Sequence, residues 1–289
     1  MVLSQNTIES LEYKCYKYGN HDRQRVGVWK RPATQTEGCW IIYIHGGAWR
    51  DPRNGLEDFL PSIVQLIAST EIDQSKICGF ASIDYNLSPH PQLYQDPAEV
   101  PTHRYRGARH PDHILDIRTA LKFLQPQIQL SDGYVLIGHS AGATLAYQAV
   151  MDQAALGNER ESFEILLPEA VLGISGIYDL VGLNSRLNNG PAGLDFIRGA
   201  FGSDEDEWIR ASPARSNESL GNSWAGYSLL AYSPDDGLVD SPELEAMAKK
   251  LEADGLPFDI VTDLTGVHDL VWQQGSQMVH LVSQVLDHI

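Results

Sequence analysis

The chain has 289 residues, 43% of them hydrophobic, and a formal net charge of −17. That length and apolar content can bury one large core, which predicts a single domain over residues 1–289, and the acidic balance argues against a nucleic-acid or membrane partner. Three widely spaced cysteines, a start unlike a signal peptide and the lack of a long apolar run predict reduced thiols and a soluble, cytoplasmic protein.

The first catalytic motif follows residues 40–44, a short apolar run that predicts a buried strand. The motif itself reads His45-Gly46-Gly47-Ala48-Trp49. Serine attack on a carbonyl carbon creates an oxyanion, and the bare backbone of Gly46 and Gly47 can aim N–H groups at it. Trp49 is a candidate for stacking on an aromatic substrate, with burial in the core as the alternative. His45 is interpreted as a structural residue that bonds the loop backbone.

A long segment near residues 86–112 is rich in proline, arginine and histidine and predicts an active-site loop after a strand. Its arginines either clamp a substrate carboxylate or hold a surface arm through salt bridges, and the sequence leaves both open. These arginines are Arg104, Arg106 and Arg109. His110 and His113 flank Pro111, which predicts the start of a helix rather than a zinc site.

The second motif reads Gly138-His139-Ser140-Ala141-Gly142 and lies between an apolar run and a helix-forming segment. This arrangement predicts a nucleophile elbow, in which a sharp strand-to-helix turn exposes the hydroxyl of the central serine. Ser140 is therefore the predicted nucleophile, and the backbone N–H of Ala141 is the further predicted oxyanion donor. His139 is interpreted as structural.

An acid must follow the nucleophile in chain order. Asp236 is the predicted acid, because it lies in a turn directly after the predicted strand 228–232. Asp235 lies in the same turn, where it favours hydrogen bonds to nearby backbone, and only motif spacing separates the two. Asp179, which follows another predicted strand, is the second alternative.

His268 is the predicted general base. It lies in a loop after the predicted edge strand 257–262, whereas His280 and His288 belong to a C-terminal stretch with helical apolar spacing. In this arrangement the histidine takes the serine proton, and the acid holds the imidazole in its correct tautomer. Residues 184–221 are predicted to form a small cap over the site.

Strand-like runs alternate with helical patterns along the whole chain. Such alternation predicts an α/β fold with a mostly parallel central sheet covered by helices on both faces.

The two motifs and the segment from Asp84 to Pro89 make the chain similar to the α/β-hydrolase superfamily over nearly its full length. Within it, Trp49 after the glycines, followed by Arg50, Asp51 and Pro52, resembles the fungal kynurenine formamidases. The resemblance implies the α/β-hydrolase fold and cytosolic hydrolysis of N-formyl-L-kynurenine to L-kynurenine and formate in tryptophan catabolism, without a cofactor. Ser140, Asp236 and His268 match the family's triad. The long arginine-bearing loop departs from some members and leaves the substrate range open.

Two alternatives remain at the sequence level. One is a carboxylesterase acting on small or secondary-metabolite esters, and the less favoured one is a non-catalytic ligand receptor with a hydrolase fold. The predicted partner is a small-molecule substrate, with no metal, nucleic acid or membrane. A homodimer is compatible with the sequence, which leaves the oligomeric state open.

Overall fold

In a computed structural model of the protein, the described residues are 8, 10–32, 38–130, 133–153, 156–157, 164–187 and 191–289. They contain an eight-stranded sheet with the order β1-β2-β4-β3-β5-β6-β7-β8. The strands are β1 Glu12–Lys17, β2 Arg25–Lys30, β3 Cys39–Ile44, β4 Ile77–Ile83, β5 Tyr134–His139, β6 Ala170–Ile174, β7 Tyr227–Ala231 and β8 Phe258–Val261. β2 is antiparallel to both of its neighbours, and every pair from β4 to β8 is parallel.

Helices pack on both faces of this sheet. They are α1 Leu60–Ala68, α2 Asp112–Ile128, α3 Ala141–Val150, α4 Leu180–Arg186, α5 Pro191–Phe201, α6 Glu205–Ala211, α7 Ser241–Ala253, α8 Leu270–Gln274 and α9 Ser276–Leu286. One apolar layer includes Ile117 of α2 and Met247 of α7, and the other includes Ile63 of α1 and Leu281 of α9. β3, β4 and β5 are buried along their whole lengths, as expected for strands covered on both faces. The predicted fold class is confirmed.

The parallel strands bring the predicted site residues to one edge of the sheet. The Gly46 turn follows β3, Ser140 follows β5, Asp236 lies beyond β7 and His268 lies beyond β8. Because the carboxyl ends of parallel strands meet at the same edge, residues far apart in sequence become neighbours there.

The long loop and the cap segment each follow a strand that ends at this edge of the sheet. After β4, residues 84–111 contain no helix or strand, and residues 180–211 contribute α4, α5 and α6. The role of residues 184–221 as a cap stays a prediction. Among the described residues, none of the helices combines the length and the apolarity that crossing a bilayer requires.

The C-terminal stretch differs from the continuous helix that its apolar spacing predicts. It divides into α8 and α9 at Gly275, whose φ is +71°. A Cβ at this position would lie 2.6 Å from the backbone of Pro61, at the start of α1. The break therefore allows α9 to approach α1 closely, a tertiary constraint that the hydrophobic period cannot reveal.

Candidate active site

Ser140 occupies a strained turn between β5 and α3. Its φ of +54° and ψ of −123° lie outside the regions that residues with side chains usually adopt. A Cβ on Gly138 would lie 2.3 Å from the Gly142 carbonyl oxygen, and one on Gly142 would lie 2.2 Å from the Ile44 carbonyl oxygen. Only glycine fits at these two positions, which explains the spacing of the second motif. Strain held in place by its surroundings in this way is typical of functional sites.

Asp236 and His268 form a close hydrogen-bonded pair. The His268 Nδ1 atom lies 2.9 Å from Asp236 Oδ1 and 2.8 Å from Oδ2, and the His268 backbone N–H donates to the Asp236 carbonyl oxygen at 3.0 Å. The Asp236 carboxylate also accepts the backbone N–H groups of Leu238 and Val239, at 3.0 and 2.8 Å. His268 is therefore held in position through both its imidazole ring and its backbone.

The electrostatics of this pair favour an ionised acid. Burial alone would raise the pKa of Asp236, but hydrogen bonds from His268, from the Val239 N–H and from the Ser175 side chain lower it to about 2. Ser175 directly follows β6 with a φ of +46°, and its N–H donates to the Ala231 carbonyl oxygen at 2.8 Å. Sequence analysis missed this residue, because no local pattern marks it as a neighbour of Asp236.

The alternative acids have other partners. Asp235 accepts the Gly266 N–H at 3.3 Å, and Asp179 caps α4 and binds Arg215 at 2.5 Å. The alternative histidines also lie elsewhere. His280 is exposed on α9, and His288 stacks on Tyr227 with ring centroids 4.1 Å apart. Of the candidates considered, Asp236 and His268 are the acid and the histidine that the fold brings together.

The glycine turn lies against the nucleophile. A Cβ on Gly46 would be 3.0 Å from the Ser140 Cβ and 3.1 Å from the His139 carbonyl oxygen, so any larger residue would crowd the serine. Gly47 has a φ of +92°, and a Cβ there would lie 2.7 Å from Asn54 Oδ1. Ala141 follows Ser140 at the first position of α3 and is fully buried. The fold thus places Gly46 and Ala141 next to Ser140, and Gly47 follows Gly46 in the same turn.

A buried charge network supports the glycine turn. His45 Nδ1 lies 2.9 Å from the Gly46 carbonyl oxygen, and its Nε2 lies 3.0 Å from Asp84 Oδ1. Asp84 also binds Arg23 at 2.6 Å and Arg25 at 2.7 Å. Burial would raise the pKa of Asp84, but the contacts with His45 and both arginines hold it below its ordinary value. The sequence shows His45 and Asp84 near motifs, whereas the two arginines reach the network only through the tertiary fold.

Trp49 is enclosed by aromatic side chains. It has no exposed surface, its Nε1 atom has no hydrogen-bond partner among the described residues, and its φ is +58°. Its ring stacks with Phe196 at 6.1 Å and meets Phe201 edge-on at 4.9 Å. A substrate ring would therefore have to displace Phe196 or Phe201 to contact it, and Trp49 as a substrate-binding residue stays a prediction.

His139 packs against His268 with ring centroids 4.6 Å apart, and its Nε2 atom lies 3.0 Å from the His268 carbonyl oxygen. Burial and the neighbouring His268 lower the pKa of His139 to about 3, so it remains neutral at physiological pH. Together with Asp269, these two histidines offer ligand atoms within 4.8 Å of one another, a spacing that could hold a metal ion. His268 Nδ1 is already held by Asp236, and the absence of a metal remains a prediction.

The three loop arginines, Arg104, Arg106 and Arg109, each have different neighbours. Arg104 binds Asp22 at 3.3 Å, and Arg106 donates to the Leu93 carbonyl oxygen at 2.6 Å. Arg109 borders a cavity of about 550 Å³ that is also lined by His110 and Glu207. The arginine cluster that the sequence suggests is therefore not a single carboxylate clamp.

Comparison with known proteins assigns the chain to a family. The kynurenine formamidase-like hydrolase fscH of Fusarium equiseti is 34% identical to it, covering 92% of this chain and 90% of the relative. Kynurenine formamidase avaC of Aspergillus versicolor is 35% identical, with 81% and 84% covered, and the kynurenine formamidase of Meyerozyma guilliermondii is 30% identical, with 90% and 88% covered. The chain belongs to the kynurenine formamidase family. No protein-family model matches it.

Solved structures show the fold of this formamidase-family chain. Esterase B from Lactobacillus rhamnosis aligns with a TM-score of 0.71 at 15% identity, covering 99% of this chain and 90% of that one. Carboxyl esterase 2 from Tuber melanosporum aligns with a TM-score of 0.66 at 16% identity, covering 96% and 86%. The fold is that of the α/β-hydrolases, and the predicted resemblance is confirmed.

Proposed function

We propose that the protein is a kynurenine formamidase, or arylformamidase, that hydrolyses N-formyl-L-kynurenine to L-kynurenine and formate. The reaction type rests on the contact of both Asp236 oxygens with His268, at 2.8 and 2.9 Å, at the sheet edge that carries the Ser140 elbow. The substrate rests on the formamidases to which the chain is related.

In the proposed first half-reaction, His268 Nε2 takes the Ser140 hydroxyl proton while Oγ attacks the formyl carbon. The oxyanion that forms accepts backbone N–H groups of the Gly46–Gly47 turn and of Ala141. His268 then gives its proton to the aniline nitrogen as the C–N bond breaks, and kynurenine leaves. The ionised Asp236 stabilises the transient imidazolium throughout this sequence.

In the second half-reaction, water attacks the formyl ester on Ser140. His268 now takes the proton of the water and returns it to Ser140 Oγ as formate leaves. The reaction draws on the same oxyanion donors, and each half begins and ends with a neutral imidazole. No cofactor enters these steps, and we retain the prediction that none is required.

A carboxylesterase is the second candidate, because the aligned solved structures include esterases and the same groups can cleave an ester. The test compares kcat/KM for N-formyl-L-kynurenine with that for p-nitrophenyl acetate, using wild-type protein and Ser140→Ala. We expect a marked preference for the formamide and loss of both activities in the variant. Fast ester cleavage with an intact formamide would favour the esterase.

A non-catalytic receptor is the third candidate. Fluorophosphonate reagents label only an activated serine, so labelling of the wild type and not of Ser140→Ala would exclude it. We also propose a cytoplasmic location and a homodimer. Cell fractionation tests the first, and sedimentation of the purified protein tests the second.

A further inference from the structure

Arg50 directly follows the His45–Trp49 motif and carries a charge that the described residues leave unpaired. Its backbone N–H donates to the Gly47 carbonyl oxygen at 3.0 Å, so it belongs to the turn that lies against Ser140. Its guanidinium lies 5.9 Å from the ring centroid of Phe196, the residue that stacks on Trp49. Within the described part of the chain, its guanidinium makes neither a hydrogen bond nor an ion pair.

The nearest acids do not neutralise this charge. Asp51 uses both carboxylate oxygens to bind Arg53, at distances from 2.5 to 3.1 Å. The charge of Asp195 raises the pKa of Arg50, but the two side chains make no ion pair within 4.0 Å in the described part of the chain. Arg50 is partly buried, and this burial lowers its pKa. A partly desolvated cation gains more from an anionic partner than an exposed one does.

The surroundings of Arg50 connect it to the catalytic edge. Burial lowers the pKa of His90, the charges of Arg50, Arg53 and Arg106 lower it further, and the charge of Asp51 raises it. Arg53 in turn feels the charge of Asp269, the residue that follows His268. Asp51 pairs with Arg53, and Arg106 donates to the Leu93 carbonyl oxygen, so Arg50 is the arginine of this group whose guanidinium the described residues leave available to an anion.

We propose that Arg50 binds a carboxylate on the substrate, so that the site selects amides and esters whose leaving group carries an acid. The inference rests on the proposed function, since the kynurenine that leaves during formamide cleavage carries an α-carboxylate. Arginine suits this role, because its planar guanidinium can donate two parallel hydrogen bonds to one carboxylate. Arg104 and Arg106 are less suited, since each already has a partner.

The test compares acid-bearing substrates with neutral ones on Arg50→Gln. The formamide pair is N-formyl-L-kynurenine and formanilide, and the ester pair is 3-(4-acetoxyphenyl)propanoate and 4-methylphenyl acetate. We expect kcat/KM for the acid-bearing member of each pair to fall about tenfold to hundredfold, mainly through KM, while the neutral member changes less than about twofold. Arg50→Lys should recover part of the loss.

Arg104→Gln is the matched control, because it removes the same charge from a residue that is 66% exposed and bound to Asp22. It should leave all four substrates within about twofold of wild type. The ratio of acid-bearing to neutral kcat/KM is independent of how much enzyme is folded, so partial misfolding of Arg50→Gln does not obscure the result.

An equal fall for both members of each pair, or no fall at all, would overturn the role of Arg50. The same selectivity loss in Arg106→Gln but not in Arg50→Gln would overturn it too, and would assign the carboxylate to the long loop. If the wild type cleaves no formamide, the proposed function fails, whereas the ester pair still tests Arg50 by itself.

Discussion

Among single residues, Asp236 gives the strongest prediction for activity, because it contacts His268 directly. Asp236→Asn keeps an oxygen for the Leu238 and Val239 N–H groups but removes the charge and favours the wrong imidazole tautomer. We expect kcat to fall about 10³- to 10⁴-fold. Asp235→Asn is the control, and it should stay within about threefold, because the Asp235 carboxylate accepts the Gly266 N–H at 3.3 Å rather than contacting His268. A large loss in the control instead would reassign the acid.

The low pKa of Asp236 predicts the shape of the pH profile. With a pKa of about 2, this carboxyl stays ionised throughout the mildly acidic range. The acidic limb of log kcat/KM against pH should therefore have a slope of one, because only one required group titrates. A slope of two above about pH 4 would mean that Asp236 titrates there as well.

The same lowered pKa has a consequence for stability. An aspartate in the unfolded chain titrates near 3.9, so Asp236 contributes stability above about pH 4, and this contribution is lost as the pH falls toward 2. The difference in unfolding free energy between wild type and Asp236→Asn should shrink over that interval. Equilibrium denaturation at a series of pH values measures it, and a difference that does not depend on pH would contradict the assignment.

At the scale of elements, substitutions at two glycines can distinguish the energetic cost of backbone strain from the cost of overpacking. Gly255, after α7, and Gly275, between α8 and α9, both have a φ of +71°. A Cβ at Gly255 meets nothing within 4 Å, whereas one at Gly275 would lie 2.6 Å from the Pro61 backbone. Gly255→Ala should therefore cost about 1 kcal/mol from conformation alone, and Gly275→Ala a further 1 to 3 kcal/mol, approximately, from overpacking.

Gly255→Ala and Gly275→Ala should also differ in catalytic activity. α8 begins two residues after His268, so a shift of α8 away from α1 would move the imidazole. Gly275→Ala should therefore lower kcat, while Gly255→Ala leaves it near the wild-type value. Chemical denaturation and steady-state kinetics provide the two measurements, and equal effects in both variants would show that packing of α9 on α1 is not tight.

How far sequence predicts an element depends on how local its signal is. The elbow at Ser140 and the turn at Gly46 were predictable, because each motif is complete within five residues, although the contacts that demand glycine there, such as that of Ile44 with Gly142, come from the tertiary fold. The break at Gly275 was not, because its cause is the approach of Pro61, more than two hundred positions earlier. The same holds within the site, where His45 belongs to a motif but Arg23 and Arg25 meet Asp84 only across neighbouring strands.

For the whole molecule, the excess of acid over base governs the response to salt. The 38 acidic side chains outnumber the 21 basic ones, so many carboxylates repel one another without any cation to pair with. Raising the ionic strength from about 10 to 150 mM shortens the Debye length from roughly 30 to 8 Å and weakens this repulsion. We expect Tm at pH 8 to rise by about 2 to 4 °C over that range, which corresponds to roughly 1 kcal/mol.

The control for this expectation lies near pH 4.8, the isoelectric point, where the net repulsion disappears and Tm should hardly respond to salt. The competing effect comes from attractive pairs such as those of Arg23 and Arg25 with Asp84, which salt would weaken. Asp84 is fully buried, so mobile ions screen these pairs much less than they screen surface carboxylates. Repulsion at the surface should therefore dominate, and a Tm that falls with added salt at pH 8 would show instead that the ion pairs determine the stability.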